Sequence, residues 1–147
     1  MEKDNSRSLM LSILEVHSTF KTIVQRSLTK LNKDITFEMM QVLVELWKSD
    51  GVNQQILAQK TVKDKSSLSY LINNLEKRNL VYRKEDENDR RNKLIYLTDA
   101  GDKLRYDFTP LLEDIYIQMA KKLNNKDIEK IIFFMSELNQ IISKINI

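Results

Sequence analysis

Between Asn79 and Thr98 the apolar residues of this chain stop recurring every three or four positions. They fall instead into two short runs, "LVYRK" and "KLIYL", rich in branched and aromatic side chains. Such runs predict strands. The stretch between them, "EDENDRRN", is made entirely of charged and amide side chains, so the two strands predict a hairpin with a polar, exposed tip. On both sides of the hairpin the pattern is helical. Two Gly and one Pro among 147 residues leave few tight turns and favour long helices.

Before the hairpin, Ile13, Val16, Phe20, Ile23, Val24, Leu28 and Leu31 predict one amphipathic helix from Ser8 to Leu31. In "DITFEMMQVLVELWKSDG", Thr36 is placed to cap a second helix, with Glu38 in its first turn and Ile35 and Met40 at the staple positions. Its expected inward stripe is Phe37, Met40, Leu43, Val44 and Trp47, and Gly51 ends it. Asn53 caps a short helix, "QQILAQK", with Ile56, Leu57 and Ala58 inward. Asp64 caps "KSSLSYLINNLEKR", with Leu68, Leu71, Ile72 and Leu75 inward, and Asn79 suits the left-handed residue that closes a helix.

After the hairpin, Thr98 caps a helix whose stripe runs through Leu104, Phe108, Leu111, Leu112, Ile115, Met119 and Leu123. Pro110 should kink or split it. Asn125 or Lys126 opens a last helix dense in Ile, Phe and Met. The fold expected is mostly α with a small two-stranded β-hairpin, in the order helix, short helix, turn, helix, hairpin. That order is a winged helix-turn-helix, with the hairpin as the wing. The two terminal helical segments offer more apolar surface than one small domain needs, which implies a partner chain.

Charge and composition exclude several functions. Residues 60–93 hold ten Lys/Arg against six Asp/Glu, whereas the remainder holds fourteen against fifteen. The basic excess is therefore local, as on a surface that meets phosphates. The absence of Cys removes disulfides, thiolate zinc sites and thiol nucleophiles. A single His, no phosphate-cradling glycine loop and no carboxylate pair at a catalytic spacing leave no enzyme constellation, and no metal or cofactor is expected. The start, "MEKDNSRSLMLSIL", does not read as a signal peptide. No run approaches the roughly 18 apolar residues of a membrane span. A cytoplasmic protein that does not enter membranes is expected.

The helix capped by Asp64 carries a polar face of an unusual kind. Ser66, Ser67, Ser69, Tyr70, Asn73 and Asn74 occupy positions where Glu and Lys would make a better helix. Hydroxyls and amides there point to recognition of base edges, which weak donors and acceptors read only loosely. No outward Arg stands mid-helix to read guanine, so an A/T-rich site read partly by shape is expected. Lys63 and Lys65, with Asn53 and Gln54 at the start of the preceding helix, are placed to hold phosphates.

From Ile35 to Gly101 the chain resembles the MarR family of bacterial transcription regulators. The resemblance rests on "ITFEMMQVL", "NQQILA", "DKSSLSYLINNLEKRNLVYR" and above all "DENDRRNKLIYLTDAG". It implies a repressor that binds double-stranded DNA as a homodimer on a pseudo-palindromic operator. Residues 1–34 would then be an N-terminal dimerisation helix, 35–98 the DNA-binding domain and 99–147 the C-terminal dimerisation helices. It assigns Arg91 to a minor groove and Arg90 and Lys93 to phosphates, while Asp89 pairs with an arginine such as Arg83 to hold the wing in shape. It also implies release by a small aromatic or lipophilic acid, for which Phe20, Phe37, Met40 and Trp47 offer apolar walls and His17 or Arg26 polar anchors. In place of the family's Leu-Gly-Val turn stand Thr61, Val62 and Lys63. The rival reading is an RNA-binding or protein-interaction winged helix.

Overall fold

The computed structural model describes residues 2–31, 33–61, 63–87 and 92–145. In chain order they form α1 (Glu2–Lys30), α2 (Phe37–Lys48), β1 (Val52–Asn53), α3 (Gln54–Lys60), α4 (Lys65–Lys77), β2 (Val81–Glu85), β3 (Lys93–Leu97), α5 (Asp99–Ala120) and α6 (Asn125–Ser143). Two compact units divide the chain, Met1–Thr109 and Pro110–Ile147. Among the described residues no helix is long and apolar enough to cross a membrane.

Helix starts follow local chemistry. Thr36 Oγ1 accepts from the Met39 N–H at 3.2 Å, Asn53 Oδ1 from Gln55 N–H at 2.7 Å and Asp64 Oδ1 from Ser67 N–H at 2.8 Å. Thr98 Oγ1 does the same for Gly101 N–H at 3.1 Å, and Asn124 Oδ1 for Asp127 N–H at 2.8 Å. Each satisfies an amide that the first turn leaves without a partner.

The core of the first unit gathers on α2, which packs against α1, α3, α4 and β3. That position explains why its buried set is wider than the one-sided stripe expected. Phe37, Met40 and Leu43 are buried, but so are Met39, Val42 and Leu46, while Val44 and Trp47 are half-buried. In α4 the expected stripe, Leu68, Leu71, Ile72 and Leu75, is the buried one. In α3 only Leu57 and Ala58 are buried; Ile56, expected inward, is 48% exposed. Two turns of helix cannot bury three consecutive residues on one face. Of the α1 stripe, Val24 and Leu28 are buried, whereas Val16 and Ile23 are exposed.

The hairpin is part of a three-stranded antiparallel sheet in the order β1-β3-β2, not a free two-stranded ribbon. The extra strand is Val52–Asn53, paired with Ile95 and Leu94. β2 and β3 pair from Val81 with Leu97 to Glu85 with Lys93.

A knot of backbone contacts fixes the wing to the end of α4. Asn79 takes the left-handed conformation, φ 55°, as its place at the helix end requires. Leu80 N–H then bonds back to Leu75 O at 3.0 Å, while Leu80 O accepts from Thr98 N–H at 3.0 Å and Asn79 O from the Thr98 hydroxyl at 2.6 Å. Gly101 presses against this junction so closely that a Cβ there would lie 2.0 Å from Leu80 O. The indole N–H of Trp47 donates to Gly101 O at 3.0 Å.

α5 spans Asp99–Ala120 with Pro110 inside it, so of the kink or split expected there the split does not occur. The missing amide costs one hydrogen bond but leaves the helix on either side intact.

Candidate nucleic-acid interface

The leading turn of α4 is exposed at Lys65, Ser66 and Ser67, and Tyr70 follows with 68% of its surface exposed. Asp64 organises this turn. Its carboxylate accepts from both serine hydroxyls, Ser66 Oγ at 2.6 Å and Ser67 Oγ at 2.6 Å, besides the Ser67 amide. These hydrogen bonds, the Ser66 one first, hold the Asp64 carboxyl well below the usual carboxylate range. Each hydroxyl has one proton, and here both are turned back onto Asp64. What the serines offer outward in this arrangement is acceptor oxygen.

Several of the other polar residues expected to face nucleic acid are also engaged by the protein. Gln54 Nε2 donates to Ser69 Oγ at 2.7 Å, joining the start of α3 to α4 across the turn. Lys63 Nζ donates to Gln41 Oε1 at 3.1 Å and Asn74 Nδ2 to Tyr70 O at 2.9 Å. Asn73 is exposed, and its Oδ1 accepts from Arg83 Nη2 at 2.8 Å. The Thr61 hydroxyl, buried, donates to Leu57 O at 2.8 Å, and Lys63 N–H to Ala58 O at 3.0 Å, which closes the turn after α3; Val62 lies outside the described residues.

Four of the expected contacts come together in space. Asn53, Gln54, Lys65 and Lys93 line one concavity of about 400 Å³ between the start of α3, the start of α4 and the base of the wing. A second, larger groove of about 750 Å³ separates the first turns of α2 and α4, with Glu38, Lys63, Ser66 and Tyr70 among its walls. Burial, the largest single influence, would raise the Glu38 carboxyl, but the hydrogen bond from Lys21 Nζ, 2.5 Å away, a backbone hydrogen bond and the charges of Lys21 and Lys63 together turn the net shift downward.

Asp89, Arg90 and Arg91 lie outside the described residues. The described partners of Arg83 are on α4: Nη1 meets Glu76 Oε2 and Nη2 meets Asn73. The sequence pattern does not single out Glu76. Nor does it single out Arg78, whose guanidinium reaches Asp34 O and Asp34 Oδ2, both at 2.6 Å, and so ties the end of α4 to the connection between α1 and α2.

The six residues expected to form an effector pocket are divided. His17 and Phe20 stand edge-on to Phe37 with ring centres 6.0 and 6.1 Å away, and Phe37 and Met40 are buried. Trp47 packs on Phe108 at 6.2 Å, and Arg26 is exposed.

This geometry has known counterparts. The sequence model of the MarR family matches residues 35–93. The transcriptional regulator SarZ of Staphylococcus haemolyticus is 25% identical over 126 residues, 85% of this chain and 85% of that protein. The transcriptional regulator HosA of Escherichia coli O111:H- is 25% identical over 96 residues, 65% of this chain and 71% of that protein. Among solved structures, the S. aureus MepR–DNA complex superposes with a TM-score of 0.82 at 25% identity, covering 90% of this chain and 96% of the MepR chain. The matched segment spans the helix-turn-helix and the first residue of β3, and the similarity to MepR extends through the helices that flank it. Residues 35–93 thus match the MarR family, and the chain as a whole is similar to transcription regulators, MepR in its DNA complex among them.

Proposed function

We propose that the protein is a double-stranded-DNA-binding transcription regulator, a repressor acting in the cytoplasm as a homodimer on a pseudo-palindromic operator, and not an enzyme. The observation that carries this reading is the concavity in which Asn53, Gln54, Lys65 and Lys93 meet. Lysines neutralise phosphates and amides bond to them, so this hollow suits the backbone of one strand. With the backbone held there, the turn bearing Ser66, Ser67 and Tyr70 faces a major groove. Ser69, Asn73 and Asn74 follow along the helix, and Lys63 reaches a neighbouring phosphate. At the wing tip, Arg91 is given the adjacent minor groove, where negative potential favours Arg, and Arg90, with Lys93, the phosphates. Hydroxyl acceptors discriminate bases weakly, which favours an A/T-rich operator read partly by shape.

The dimer is supported by α6, where Ile132, Phe133, Phe134 and Ile141 are each more than half exposed in the single chain. An apolar patch of this kind belongs against a partner. The ring cluster of His17, Phe20 and Phe37 is the favoured seat of a small aromatic or lipophilic acid that releases DNA. Such a ligand acts only if it binds the free dimer more tightly than the complex. Aromatic carboxylates titrated with and without operator reveal that difference as a weakened DNA affinity.

The test of DNA binding is a salt series. Log affinity for duplex DNA should fall linearly with log salt as counterions are released. An equal or tighter affinity for RNA hairpins of the same sequence would favour the RNA-binding alternative instead.

A further inference from the structure

Arg83 stands on β2 opposite Ile95, which is fully buried, so the wing carries a cation on its inner face where the apolar core runs out. Its side chain is only 20% exposed, and that of Glu76 30%. A cation so sheltered needs partners, and the described ones all sit on α4. Glu76 and Asn73 are three residues apart on one face of the helix, and the fork of the guanidinium spans them, Nη1 to Glu76 Oε2 and Nη2 to Asn73 Oδ1 at 2.8 Å. A planar fork gripping two side chains of one helix restrains orientation as well as distance.

We infer that Glu76 is a positioning residue for DNA recognition: with Arg83 and Asn73 it clamps the wing to α4, so that the recognition helix and the wing tip read DNA as one rigid head. This rests on the DNA-binding function proposed above. Arg83 then serves specificity without touching DNA, and Asn73 is held by the protein rather than free to pair with adenine. The knot at Asn79, Leu80 and Thr98 fixes the root of the wing. The clamp lies at Arg83, three residues beyond Leu80, and restrains the direction of β2 relative to α4.

The inference makes a prediction of opposite sign to simple electrostatics. Glu76→Gln removes a negative charge near the DNA-facing surface, which by charge alone should tighten binding to any duplex. A broken clamp should instead weaken binding to the operator while leaving a scrambled duplex bound as well as before, or better. The full-length wild-type protein is first used to select its operator from a random duplex pool. Glu76→Gln and, independently, Arg83→Gln are then titrated against that operator and a scrambled duplex, with thermal melting to confirm that each variant folds. The expected result is a ratio of operator to scrambled affinity reduced at least about threefold. The salt slope should stay unchanged, and β2 and β3 amides should exchange faster with solvent in both variants. Should either folded variant keep the wild-type ratio and exchange rates, the clamp is refuted. It is equally refuted if Arg83→Gln weakens both duplexes alike and lowers the salt slope by about one, the mark of a direct phosphate contact. If the wild-type protein selects no duplex, the regulator reading falls, and that outcome is separate because it is read before any variant is made.

Discussion

Asp64 shows how one side chain can cap a helix and order the surface proposed to meet DNA. Its carboxylate caps α4 and also orients the hydroxyls of Ser66 and Ser67. Because its pKa is lowered on folding, its contribution to stability is present above the ordinary carboxylate range and is lost as pH falls through and below it. Asp64→Ala should therefore lower the melting temperature at neutral pH, and the gap from wild type should close on acidification. A gap independent of pH would contradict this. Gly101 is a second residue whose identity is set by one contact. With Leu80 O only 2.0 Å from where a Cβ would sit, and that oxygen being backbone, Gly101→Ala should destabilise by about 1–3 kcal/mol or more. Denaturant unfolding with no change in midpoint would refute the account of the wing root. Lys84, by contrast, is a surface case: its hydrogen bond to Glu87 raises its pKa, but both side chains are more than half exposed and the pair adds little.

At the scale of elements, the wing is where the proposed mechanism is most exposed to test. Arg91→Ala should weaken operator binding by about 1–3 kcal/mol while leaving the circular dichroism spectrum intact, since the role proposed for Arg91 is contact with DNA and not support of the fold. An unchanged affinity would remove Arg91 from the minor groove. The elements that sequence alone made legible are those whose determinants are local. The caps at Thr36, Asn53, Asp64 and Thr98, the four-residue stripe of α4 and the full span of β3 depend on neighbours a few positions away. β1 was not legible, because Val52 and Asn53 become a strand only by pairing with Ile95 and Leu94 far along the chain. The same holds for the candidate site. Its polar face can be read from the run of Ser and Asn, but the bonds that engage it, Gln54 to Ser69, Arg83 to Glu76 and Arg78 to Asp34, join residues that only the fold brings together. The Ile56 error has a different origin: two turns of helix are too few to fix the phase of an apolar pattern.

For the whole molecule, the question is what covers the apolar termini. Leu11, Leu14 and Val16 on α1, and Ile132, Phe133 and Phe134 on α6, are each more than half exposed in the single chain. Deleting residues 126–147 should leave protein that aggregates or fails to fold, as judged by light scattering. A soluble, folded monomer from that deletion would contradict the dimer. If two copies do pair, their α4 helices and wings present a two-fold reading surface, and the DNA they choose must share that symmetry. Sequencing the duplex fragments that the purified full-length protein retains from genomic DNA tests this most directly. The account predicts enrichment of one A/T-rich pseudo-palindrome with half-sites about one helical turn apart; no enriched sequence, or an enriched site without two-fold symmetry, would contradict it.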